Sequence, residues 1–209
     1  MDRVFPNYIY RKKVTGYQKA LEDIKSHLDE LWSQEDAMVP PWISKGEETY
    51  STYPKNDRLD PNGNQLHHHP AMKEIMLQIN DMIREYQKVL ELDESLEFYI
   101  NEMWSQKYIN GIGKSHNHPE YLISGGLYLL VEGTQRITME DPAVLLFNQE
   151  LIPYFKKERL KKVIDLEEGD VLLWPGWMNH EIEAIKPKDW NTKNPTRITM
   201  PFMVNIKDA

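Results

Sequence analysis

The periodicity of this chain changes once, near residue 95, and that change narrows the folds open to it. Upstream, apolar residues recur every three or four positions. Downstream they alternate or form short unbroken runs: LEFYINEMW (96–104), LYLLV (127–131), RITME (136–140), VLLF (144–147), KKVIDL (161–166), DVLLW (170–174), HEIEAI (180–185) and RITMPFMVN (197–205). Short strands separated by turn residues build an antiparallel barrel or sandwich. No βαβ rhythm is present, which argues against a parallel sheet, and no glycine-rich phosphate loop opens a helix.

The upstream part is helical with interruptions. Residues 1–14 read as an extended arm or first strand, because Pro6 opposes a helix there. Tyr17, Leu21, Ile24, Leu28 and Leu31 mark a helix over about 16–34. Residues 37–69 form an irregular connection, broken by Pro40, Pro41, Gly46, Pro54, Pro61 and Gly63. Its length suits a lid. His67, His68 and His69 read as the run into a second helix over about 70–92, whose broad apolar face runs from Met72 through Ile79 and Ile83 to Leu90. The expected organisation is a single domain, 1–209: a helical elaboration at 1–95 with the proline-rich loop inside it, and a β core at 96–206.

Composition removes several classes of function. A formal net charge of -8 argues against a general nucleic-acid or anionic-membrane binder. The chain has no cysteine, so disulfides, thiolate metal sites and thiol nucleophiles are excluded. No apolar run of about 18 residues is present, and the first residues lack a signal-peptide layout, so a soluble cytoplasmic protein is expected.

The chemistry-bearing residues lie in the β half. His116 and His118 form a His-x-His pair, which in an extended strand points both imidazoles the same way. Glu120 extends the alternation and adds an oxygen donor. His180 follows a Trp-Pro-Gly-Trp turn and opens a strand. Two neighbouring ligands and one distant ligand make an open metal site, with imidazole suiting iron, zinc, copper or nickel. Arg197 opens the last apolar strand, and Thr199 shares its face. A guanidinium there would grip a carboxylate through two parallel hydrogen bonds. Among the tryptophans of the β half (104, 174, 177 and 190), Trp177 is the candidate for lining a substrate mouth.

Taken in order, Trp104, His116-Asn117-His118-Pro119, Ser124-Gly125 with Tyr128, Gly169 to His180, and Arg197-Ile198-Thr199 resemble the Fe(II)/2-oxoglutarate-dependent oxygenases. The resemblance covers residues 96–206 well and the first 95 loosely. It implies a double-stranded β-helix (jelly roll) with flanking helices, here two N-terminal ones. It implies Fe(II) on His116, His118 and His180, with His118 where the superfamily usually carries a carboxylate; His118, Glu120 and His180 are the alternative set. It further implies 2-oxoglutarate as cosubstrate, its far carboxylate on Arg197, Thr199 and Tyr128, with O2 as oxidant. The expected reaction is hydroxylation of a C–H bond in a small molecule or a protein side chain. Two other readings stay open: a cupin-like metal protein that needs no 2-oxoglutarate, and a jelly-roll binding module whose histidines are incidental.

Overall fold

A computed structural model describes residues 8–34, 48–53, 63–109, 113–140, 161–183 and 195–207. In chain order the elements are β1 (Tyr10–Lys13), α1 (Tyr17–Trp32), β2 (Glu48–Ser51), two short 3-10 turns (Leu66–His68 and Pro70–Met72), α2 (Lys73–Val89), β3 (Phe98–Met103), β4 (Gln106–Ile109), β5 (Gly113–His116), β6 (Ile123–Val131), β7 (Arg136–Glu140), β8 (Lys161–Asp165), β9 (Asp170–Pro175), β10 (His180–Ile182) and β11 (Thr196–Ile206). Among the described residues the strands form two antiparallel sheets. The large one runs β1-β9-β6-β11-β4-β2, with β3 also paired to β11, and the small one runs β5-β10-β7-β8. This is the double-stranded β-helix, a jelly roll with two helices on one side.

The large sheet is covered on both faces, and its central strands show it. One face packs on the helices: Ile24, Leu28 and Leu31 of α1 and Ile75, Ile79 and Ile83 of α2 meet Leu127, Leu173, Met200 and Phe202. The other face looks into the jelly roll, where Tyr128, Leu172 and Trp174 pack with Ile137, Met139 and Met178. Strands buried on both faces lose the apolar–polar alternation of half-exposed ones. Hence DVLLWP is buried at every position of β9. Gly125 of β6 is required by this packing, because a Cβ there would fall 2.3 Å from the Phe202 ring.

Both helices and β1, β3, β7, β8 and β10 lie within the expected segments, β9 overruns its segment by one residue at one end and β11 by one at each end, and β6 starts at Ile123, four residues before the expected LYLLV run. The expected strand at 144–147, and most of the connection at 37–69, lie outside the described residues. Three strands have no forerunner in the apolar pattern. β2, β4 and β5 are short and rich in polar residues, and pairing with long neighbours holds them: β4 lies between β11 and β2, and β5 lies beside β10. No helix among the described residues is long and apolar enough to cross a membrane.

The histidines before α2 form the expected helical run-in, and one carries a pH dependence. His67 packs on His68 with ring centroids 4.0 Å apart, and its Nδ1 is buried without a partner. Burial, then the neighbouring His68, pushes the His67 imidazole down to about 4. A histidine depressed in the folded state binds its proton more readily in the unfolded chain. Its stabilising contribution is therefore full above pH 6.5 and lost as pH falls toward 4. Melting temperature measured across that window is expected to fall less steeply for His67→Gln than for the parent; an unchanged slope would remove His67 as a cause of acid sensitivity.

Candidate active site

Three imidazoles converge between the sheets. His116 closes β5 and His180 opens β10, and the antiparallel register places them directly opposite one another. His118 arrives differently. β5 ends at His116, so strand alternation does not position His118. Its backbone instead docks on the turn after β9: the His118 N–H donates to the Gly176 carbonyl at 2.8 Å, and the Tyr121 N–H donates to the His118 carbonyl at 3.1 Å. The ring centroids lie 4.3 Å (His116–His180), 5.0 Å (His116–His118) and 5.5 Å (His118–His180) apart. One nitrogen from each ring falls within 4.8 Å of the others, close enough for one ion to join them.

The electrostatics favour neutral rings, the form that binds a metal. Burial lowers all three imidazoles, His118 to about 4 with a second contribution from His116, and His180 well below the ordinary histidine range. Nδ1 of His116 contacts the Lys114 carbonyl at 2.7 Å, and Nδ1 of His180 contacts the Met178 carbonyl at 3.2 Å. Donation to those carbonyls places the proton on Nδ1 and the lone pair on Nε2. Glu120 is exposed in the turn after His118 and stands outside this group. The alternation that recommended it ends with β5.

Gly176 holds this arrangement together. A Cβ there would fall 2.0 Å from the Tyr121 carbonyl oxygen and 2.6 Å from that of His118. Both neighbours are backbone and cannot step aside cheaply. Gly176→Ala is expected to cost about 3 kcal/mol, read from the denaturation midpoint, and to weaken metal binding by displacing His118. A variant with unchanged stability and metal affinity would show that the turn is more pliable than this contact implies.

Facing the histidines, the inner face of the large sheet presents matched rungs. Trp174, Ser124, Met203 and Glu102 form one, and Leu172, Gly126 and Pro201 the next, with the Trp104 N–H bonded to the Pro201 carbonyl. Thr199 then lies between Tyr128 and Gln106, and Arg197 lies opposite Tyr108. Gly126 and Pro201 leave the second rung nearly bare. The resulting cavity is bounded by the three histidines, Trp104, Gln106, Tyr108, Tyr128, Trp174, Thr199 and apolar neighbours.

Arg197 is the unusual member. It is 0% exposed, and its guanidinium carbon lies 4.3 Å from the centroid of the Tyr108 ring. None of its three nitrogens has a hydrogen-bonding partner among the described residues, and Thr199 Oγ1 on the same face also lacks one. An arginine buried on these terms is costly unless something else supplies an acceptor. It does not itself bound the cavity; the Tyr108 ring stacked on it does. Trp177 does not take the expected place: it is 44% exposed, and Trp104 and Trp174 line the cavity instead. Gln106 and Tyr108 were not anticipated as site residues. Their alternation in QKYI, polar and aromatic on one face of a short strand, was the available signal.

The family described as "Putative 2OG-Fe(II) oxygenase" matches residues 102–202, the segment that contains all three histidines and Arg197. That segment matches the 2-oxoglutarate/Fe(II)-dependent oxygenase superfamily. Among solved structures, the chain is similar in fold to a Pseudomonas putida prolyl-4-hydroxylase (TM-score 0.57, 11% identity, 97% of this chain and 94% of that one). It is also similar to HygX from Streptomyces hygroscopicus, whose structure holds nickel, 2-oxoglutarate and hygromycin B (TM-score 0.59, 11% identity, 96% and 84%). A third is the non-heme α-ketoglutarate-dependent epimerase SnoN of nogalamycin biosynthesis (TM-score 0.60, 8% identity, 95% and 76%). No curated protein matches the chain by sequence.

Proposed function

We propose that this protein is an Fe(II)- and 2-oxoglutarate-dependent hydroxylase that binds Fe(II) through His116, His118 and His180 and 2-oxoglutarate through Arg197, Thr199 and Tyr128. The observation that carries the reading is the buried, unpartnered Arg197, set on the inner face of the sheet opposite three clustered imidazoles. A dicarboxylate that reaches the metal with one end presents its other carboxylate to that guanidinium, which is the acceptor Arg197 lacks. With both bound, the iron and cosubstrate supply C–H oxidation by O2 coupled to decarboxylation of 2-oxoglutarate to succinate.

The chain's own residues bind, orient and exclude water. His116 and His180 are oriented by carbonyls that receive their Nδ1 protons, and His118 by its backbone docking on Gly176. Trp174 packs edge-on to His180, with ring centroids 4.9 Å apart, and shields it from solvent. Tyr108 keeps the guanidinium in place through its ring face. His118 stands in for the usual carboxylate, so the protein ligands carry no negative charge and the bound metal retains one more unit of positive charge. The substrate is a small molecule or a protein side chain, by analogy with the hydroxylase and HygX relatives.

The all-imidazole set also suits a metal dioxygenase that uses no 2-oxoglutarate. Anaerobic titration with Fe(II) and then 2-oxoglutarate separates the two. A saturable visible charge-transfer band on adding 2-oxoglutarate supports the proposal. Iron binding that ignores 2-oxoglutarate supports the second reading, and no iron binding rejects both.

A further inference from the structure

The hydrogen-bonding deficit of the cavity wall is one-sided. Among the residues that line it, the buried polar side-chain atoms without a partner are Trp104 Nε1, Gln106 Nε2, Trp174 Nε1 and Thr199 Oγ1. The three nitrogens can only donate. The Gln106 amide is oriented by Tyr108, whose hydroxyl donates to Oε1 at 2.5 Å and so leaves Nε2 as the unmatched end. Trp104 is held by Tyr53, packed edge-on at 5.1 Å. Both residues are nearly fully buried and stand two positions apart on the same wall.

Among the described residues no aspartate or glutamate lines the cavity. Glu102, on the rung of Met203, is already occupied: its Oε1 accepts from the Tyr121 hydroxyl at 2.9 Å and its Oε2 from the Asn64 amide at 3.2 Å. The rest of the lining is apolar or aromatic, including Ile137, Ile182, Pro201 and Met203. Among the described residues a cationic group entering this space would meet N–H donors and no carboxylate. An anionic acceptor would meet unmatched donors and, with iron on three neutral ligands, a favourable field.

We infer that Trp104 Nε1 and Gln106 Nε2 hold the carboxylate of the molecule to be oxidised, and that this substrate is an apolar-bodied monocarboxylate without a cationic group. The inference rests on the function proposed above, which assigns Thr199 and Arg197 to the cosubstrate and leaves the three nitrogens unclaimed; Trp104 and Gln106 are the two that stand on one wall, with Trp174 on β9. Two N–H donors on one wall suit the two oxygens of one carboxylate better than a single carbonyl, which would leave one donor unmatched.

The test uses the protein loaded with Ni(II) and saturating 2-oxoglutarate, titrated calorimetrically with phenylacetate and hexanoate and with 2-phenylethylamine and hexylamine. The acids are expected to bind at least about tenfold more tightly than the amines. Trp104→Phe and Gln106→Met, which keep the packing and remove the donor, are each expected to weaken the acids about tenfold while leaving 2-oxoglutarate affinity within about twofold. The inference is overturned by amines that bind as well as the acids, by variants that bind the acids unchanged, or by acids that show no binding up to about 10 mM. Displacement of the acids by rising 2-oxoglutarate also overturns it, since the donors would then belong to the cosubstrate. If wild-type protein binds no 2-oxoglutarate, the proposed function fails on its own; the acids are then titrated on the Ni(II) protein alone under the same criteria.

Discussion

His180→Ala is expected to abolish stoichiometric Fe(II) binding. His180 is the most buried of the three at 4% exposure and the one that a separate strand supplies across the sheet. Without it, His116 and His118 remain as two neutral imidazoles, and loss of a direct ligand should exceed the ten- to hundredfold typical of outer-shell changes. Affinity lower by more than about a hundredfold is therefore expected. The control is the melting temperature, because alanine also leaves a void beside Trp174. Glu120→Ala, at an exposed position, is expected to leave metal affinity unchanged. One iron per chain at unchanged affinity in the His180 variant would remove that residue from the site. Loss of iron in the Glu120 variant would instead favour the set His118, Glu120 and His180.

Arg197→Met is expected to weaken 2-oxoglutarate binding by about a hundredfold or more, with Fe(II) affinity within about twofold. The stability of the protein without ligand should move the other way. In the parent no acceptor among the described residues has good hydrogen-bond geometry at the buried guanidinium, and the neighbouring Tyr108 and Tyr128 offset its desolvation in part. Replacing an uncompensated buried charge by an apolar chain of similar length is neutral or stabilising. The combined outcome, weaker cosubstrate and an equal or higher melting temperature, separates a binding arginine from a structural one, whose loss would lower both. Arg197→Lys is not expected to restore affinity, because an ammonium lacks the planar pair of donors that grips a carboxylate. Unchanged 2-oxoglutarate affinity in Arg197→Met would leave the triad without its cosubstrate partner.

Much of the fold is legible locally. The stripe at Ile24, Leu28 and Leu31 and the one at Ile75, Ile79 and Ile83 each specify a helix that must bury one face, and both do so against the large sheet. The unbroken runs DVLLW and RITMPFMVN belong to strands covered on both sides, which a chain of this length achieves by layering. β2, β4 and β5 escaped notice because pairing with their neighbours, rather than composition, makes them strands.

The candidate site divides in the same way. Residue types are a property of the sequence: no thiol, three histidines in the β half that neutral imidazole chemistry suits, and an arginine in a strand with no reason to be in solvent. Their meeting is not. His116 and His180 face each other because β5 and β10 pair in one register, and a slip of one residue would turn every side chain of the strand to the other face. His118 joins them through a backbone hydrogen bond to a turn from another part of the chain, and only a glycine fits at that crossing. Glu120 and Trp177 follow the same local logic as the residues that do converge, yet both end in solvent, because the turns that carry them leave the sheet. Local periodicity determines which elements exist and which residues can do chemistry. Register and turn geometry depend on contacts between residues distant in sequence, so the tertiary structure alone decided which of them share one cavity.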